Sequence, residues 1–264
     1  RRRRALDLRG YLNLEFAMLI SASLVTFLIF FMDQVHYVVA AVLISMYILY
    51  LWISSTREPE EPELIGVAAM VGSLPKRSRR TAVALLFVYS AAVILVAAEP
   101  FVDSLVDTGL ELGIDEFILI QWIAPLASES PEIIVAVLFS LHANPVASLT
   151  ILISAEVNQL TLLVGSMVII FSASAGELLS FPLDARQSVE FLLTSSVSAF
   201  AIALVAPRLI GWRAGAVLLS LFIAHLFFVD EDQRLIFSYI YLGLTVGLVG
   251  LYLLKWRGIR SATP

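Results

Sequence analysis

Three glutamates stand in stretches of this chain that should carry no charge. Glu129 and Glu132 lie in the run QWIAPLASESPEIIVAVLFSLHANP, and Glu156 lies in VASLTILISAEVNQLTLLVGSMVII. About 20 apolar residues cross a bilayer, and both runs reach that length. An ionised side chain at the middle of a span costs roughly 2.5–3.5 kcal/mol on insertion scales. Ser128, Ser130, Ser154, Asn158, Gln159 and Thr161 accompany the acids. Carboxylate, amide and hydroxyl oxygens are the ligands of hard cations. A carboxylate held dry without a partner also takes up a proton more readily than one in water. The chemistry to expect is reversible binding of cations or protons.

Helical spacing groups these side chains. Glu129 and Glu132 are three residues apart, Ser128 and Glu132 four, so the three share one face. Glu156 and Gln159 share a face by the same rule. The connection near His142–Pro145 is short, which makes the two helices antiparallel neighbours. Their polar faces then meet near the midplane. Pro125 and Pro131 each remove a backbone N–H and push away the carbonyl four residues earlier, at Gln121 and Ala127. A span broken there offers free carbonyl oxygens beside the acids, the discontinuous-helix design of secondary transporters.

The elements that must carry these residues follow from composition. Of 264 residues, 59% are hydrophobic and 15% charged, against roughly 45–50% and 25% in a soluble domain. A water-soluble enzyme, a nucleic-acid binder and a disordered chain are excluded. There is no cysteine, hence no disulfide framework or thiolate site. Eight apolar runs are long enough to span: 13–32, 35–54, 81–98, 116–141, 146–171, 188–206, 211–229 and 235–254. Runs this continuous are helices, because barrel strands alternate over about ten residues. The expectation is an all-α, polytopic transmembrane helix bundle forming one membrane domain over residues 1–264, with the lipid bilayer as its partner.

Basic residues orient the bundle. With the amino end inside, fifteen of the 17 Lys and Arg fall on the inner side and only Arg186 and Arg234 outside, a strong positive-inside bias. Both ends of the chain are then cytoplasmic, in the cell (inner) membrane, and residues 55–80 form a cytoplasmic loop. Within it, Leu64–Leu74 is a short apolar segment suited to the interface. Acids gather outside, including the stretch Glu99–Asp115, read as a solvated loop that Glu99-Pro100 opens by stopping the third span.

The fourth and fifth spans resemble the second alpha-repeat of the sodium/calcium exchanger superfamily. That repeat runs G-T-S-x-P-E, then G-N-P, then G-S-N-x-x-D/N, with a glycine further on. The counterparts are Ala127-Ser128-Glu129-Ser130-Pro131-Glu132, Ala143-Asn144-Pro145, Ser154-Ala155-Glu156-Val157-Asn158-Gln159, and Gly165. The resemblance places Glu132 at the family's central cation-binding glutamate, Ser128 at its Thr and Gln159 at its Asp or Asn ligand. It departs where the family's ligand Ser is Glu129, its second Ser is Ala155 and its Asn is Glu156. It implies a secondary-active cation antiporter, of sodium/calcium or cation/proton type. Glu132 and Glu129 bind the cation, and Ser128, Glu156 and Gln159 complete the metal site. Calcium, sodium or protons are the transported cations, and no cofactor is implied. No second S-x-P-E element occurs in residues 1–115, so the missing amino-terminal half of the same protein is the expected partner for the site.

Other chemistries find little support. No H-E-x-x-H motif, P-loop or G-x-S-x-G elbow is present, so no enzyme is expected. The competing readings are a non-transporting membrane subunit, whose buried acids are assembly contacts, and a lipid-modifying enzyme with Glu129 and Glu132 on a metal. The latter would want basic residues near the acids, and these lie at the inner rim. His36, His142 and His225 read as interfacial, as do Trp122, Trp212 and Trp256. Glu15 sits near the inner end of the first span.

Overall fold

The computed structural model describes residues 5–7, 12–56, 67–113, 119, 124–142, 144–207, 209–228 and 230–261. The Arg1–Arg4 run, the centre of the 55–80 loop, the start of the fourth span with Gln121 and Trp122, and Ala143 lie outside the described residues. The helices are α1 (Asn13–Ile29), α2 (Tyr37–Thr56), α3 (Val67–Gly72), α4 (Lys76–Leu112), α5 (Ala124–Leu141), α6 (Pro145–Asn158), α7 (Val164–Ala175), α8 (Ala185–Val205), α9 (Trp212–Leu226) and α10 (Glu231–Ser261). A π-helical turn, Gln159–Leu163, joins α6 to α7. Four short strands complete the list: β1 (Ala5–Asp7), β2 (Gln34–Val35), β3 (Phe181–Pro182) and β4 (Leu209–Gly211).

Each of the eight apolar runs holds a helix, as an all-α membrane bundle requires. Among the described residues, Tyr37–Thr56, Lys76–Leu112, Pro145–Ala175, Ala185–Val205 and Glu231–Lys255 are long and apolar enough to cross a membrane. Asn13–Ile29 and Trp212–His225 are shorter apolar helices. Large apolar side chains such as Leu24, Trp52, Leu163 and Leu251 are exposed, the inside-out surface that acyl chains cover.

The chain divides into two compact units, residues 56–131 and the remainder. In the larger unit α1 and α8 run antiparallel. One apolar cluster joins Leu12 and Phe16 to Val205, another holds Leu19 and Ile202, and Ile29 and Phe191 share a third. The positions 12, 16, 19, 23 and 26 of α1 repeat at three and four residues, the spacing of a helix–helix seam. On its other side α8 packs on α10, with Leu193, Phe200 and Tyr241 at the centre. The strands tie the ends: β1 pairs antiparallel with β4, and β2 with β3. Asp33 occupies the left-handed region (φ 49°), which Asp tolerates better than most residues. There its carbonyl accepts from the Leu183 N–H (3.1 Å) and its carboxylate from Ser188 Oγ (3.2 Å).

The smaller unit corrects the acidic loop. Residues 99–112 are helical, and α4 runs unbroken for 37 residues, about 55 Å at 1.5 Å per residue. Pro100 lies inside it, so Glu99-Pro100 does not stop the span. The reason is visible in the spacing: Glu99, Asp103, Asp107 and Glu111 recur every four residues. That leaves Phe101, Val102, Val106 and Leu110 for the remaining faces. Pro removes one hydrogen bond while its φ remains helical. Gly113, left-handed at φ 65°, closes the helix. In the expected cytoplasmic loop, α3 is helical and α4 already begins at Lys76. Arg79 Nη1 donates to the Gly72 carbonyl at 3.3 Å.

Candidate functional site

The α5–α6 hairpin forms as its spacing requires. Asn144 caps α6, its side chain accepting from the Ala147 N–H at 3.2 Å, and Pro145 occupies the first helical position, where its missing N–H has no intrahelical role. Ser140 Oγ donates to Ser148 Oγ at 2.9 Å. Ile133, Ala136, Val137, Ser140 and Leu141 line one groove with Ser148 and Leu152. The 140–148 pair fixes the register, and Ala136 and Leu152 line the same groove one turn further on. Extended by one turn, that register brings Glu132 and Glu156 to the same height.

One expectation about this site changes. The helix break anticipated at Pro131 is absent, since α5 continues through that residue. The interruption falls instead on the neighbouring helix, as the π turn that Gln159 opens. There the Val164 N–H bonds to the Gln159 and Thr161 carbonyls, and Thr161 Oγ1 donates to the Val157 carbonyl. Such wide turns recur at functional sites because they leave carbonyls available and rotate the residues beyond them. Among the described residues no three Asp, Glu, His or Cys side chains gather as a metal group. Glu132 is exposed, Glu129 and Gln159 are half-buried, and exposed Ser128 donates to the Pro125 carbonyl at 3.3 Å.

Glu156 is held from an unexpected direction. Ser198 Oγ of α8 donates to its Oε1 at 2.6 Å, a charge-assisted bond. Two residues earlier, Ser154 Oγ and the Tyr50 hydroxyl of α2 share a 2.6 Å hydrogen bond. Sequence reasoning confined to the two acidic spans missed Ser198 and Tyr50. The signal was present in the serines 195, 196 and 198, clustered at the centre of the run 188–206. Gly165 explains its own position: a Cβ there would lie 2.6 Å from Ile44 Cγ1 and 3.0 Å from the Ala40 carbonyl oxygen. Only glycine lets α2 and α7 approach so closely. His225 is buried rather than interfacial, and its Nδ1 lies 3.1 Å from the Tyr241 hydroxyl. Glu15 is buried as well.

Comparison with known proteins meets this geometry. Residues 82–229 match the family described as sodium/calcium exchanger protein. No curated protein sequence matches the chain. A solved crystal structure, of the H+/Ca2+ exchanger CAX, superposes with a TM-score of 0.89 at 39% identity, over 97% of this chain and 66% of that one. This chain thus spans just under two thirds of that exchanger's length. The matched residues contain the whole α5–α6 hairpin, the π turn and Gly165, and they amount to more than half of the sequence. The chain belongs to the sodium/calcium exchanger protein family.

Proposed function

We propose that the protein is a secondary-active antiporter that exchanges a divalent cation, calcium, for sodium or protons. Eight spans carry it through the cell membrane with both ends cytoplasmic. Glu132 is the central cation ligand. Glu129 and Ser128 lie within one turn of it on α5, and Gln159 and Glu156 contribute from α6. The observation that carries the reading is the register of the hairpin, which sets Glu132 and Glu156 at one height beside the π turn. Two carboxylates at one level favour a doubly charged partner or two single charges. Their competition couples the two fluxes. Family membership and the likeness to an H+/Ca2+ exchanger support the class of reaction.

The test is calcium flux in vesicles holding the full-length protein, driven by a sodium or a proton gradient. Glu132→Gln abolishes exchange while leaving insertion and thermal unfolding near wild type. Normal gradient-driven flux in that variant overturns the assignment.

A further inference from the structure

The α1–α8 seam is apolar at its ends and polar at its centre. Moving up α1 and down α8, its layers are Phe16 with Val205, then Leu19 with Ile202. Thr26 Oγ1 and Ser195 Oγ follow, 3.2 Å apart, and then Ile29 with Phe191. By the same register, the layer between Leu19 and Thr26 falls to Ser23 and Ser198. Ser198 is the residue that donates to Glu156, so the carboxylate enters the seam from α6 at that layer. All four hydroxyl residues are buried: Ser23 is 6% exposed, Thr26 0%, Ser195 2% and Ser198 5%. Ser23 Oγ finds no hydrogen-bond partner among the described residues.

A buried hydroxyl without a partner is destabilising, and four buried hydroxyls along one seam exceed what joining two helices needs. Their protons are already engaged where the bonds are resolved. Ser198 gives its proton to Glu156. Thr26 Oγ1 bonds to the Ala22 and Ser23 carbonyls of its own helix. The lone pairs that remain are hard oxygen ligands. One carboxylate supplies one negative charge. A divalent ion would leave a net positive charge among apolar layers, which a membrane interior resists.

We propose that Glu156, with the hydroxyls of Ser23, Thr26, Ser195 and Ser198, forms a site for one sodium-sized monovalent cation, which competes for the Glu156 carboxylate with the cation held by the α5 ligands. The inference deepens the antiport reading by giving the coupling ion its own place, and rests on that reading only for its role in exchange. The acid at position 156 is what makes the site, because the family's repeat carries Asn there.

The experiment is thermal unfolding of the purified full-length protein in detergent, without calcium. Sodium chloride is compared with N-methyl-D-glucamine chloride at matched ionic strength, from acidic to alkaline pH. Sodium raises the midpoint of the wild type by several degrees, because a ligand bound only to the folded state stabilises it. Glu156→Gln and Thr26→Val lose that increment. Ser23→Ala gives a signature that a purely structural hydroxyl would not: its sodium-free midpoint rises, since an unsatisfied group is removed, yet the sodium increment shrinks. No sodium increment in the wild type at any pH overturns the proposal. So does an increment that survives in Glu156→Gln, or stabilisation that comes from acidification alone. A parallel calcium titration of wild type and Glu132→Gln tests the antiport reading separately.

Discussion

Gly165 of α7 lies so close to α2 that a Cβ on it would meet the Ala40 carbonyl oxygen at 3.0 Å and Ile44 Cγ1 at 2.6 Å. Neither atom is the free end of a flexible side chain. Gly165→Ala therefore forces α2 and α7 apart and costs about 1–3 kcal/mol, the range of overpacked cores. Gly165→Leu fails to yield folded protein. Gly247→Ala, where a Cβ meets nothing, is the control and leaves the midpoint unchanged or slightly raised. Thermal unfolding in detergent checks all three.

Arg234 is fully buried and pairs with Glu190, fastening α10 to α8. Removing one partner of a buried pair costs more than the pair contributes, because it strands the other charge. Arg234→Met lowers stability by about 3–5 kcal/mol. Adding Glu190→Gln recovers a substantial part of the loss. A double-mutant cycle on unfolding midpoints reads the coupling, and strictly additive losses count against it.

The Tyr50–Ser154 hydrogen bond joins α2 to α6 just below Glu156. Tyr50→Phe keeps the ring packing and removes the hydroxyl, at a cost of about 1 kcal/mol. Tyr50→Phe with Ser154→Ala costs no more than the single change, since both partners are then gone. The same unfolding assay decides it.

Pro131 deprives the Ala127 carbonyl of its intrahelical donor without breaking α5. Pro131→Ala restores one hydrogen bond to the helix, where an interior proline costs about 3 kcal/mol. The expected outcome is an unfolding midpoint no lower than wild type, together with weaker calcium-driven flux. A fall in stability with normal flux would show that the proline serves packing instead.

Much of this was legible in the residues. The apolar runs marked helices, because the length of a run and its lack of charge decide the matter in lipid. The motif around Glu132 and Glu156 marked the hairpin, and its short connection made the two helices antiparallel neighbours. Three features were hidden for physical reasons. The π turn depends on how Gln159–Leu163 packs between neighbours, and no local residue type demands it. The helix through Pro100 required weighing an acidic stripe of period four against one lost hydrogen bond. Ser198 lies 42 residues from Glu156 in sequence, so only the packing of α8 against α1 and α6 brings them together.

The strands flanking α1 pair with the strands flanking α8, one ladder at either end of the two helices. Rods riveted top and bottom cannot slide or splay along their length. The two helices therefore hold their spacing along the whole seam, and the buried hydroxyls between them stay neighbours.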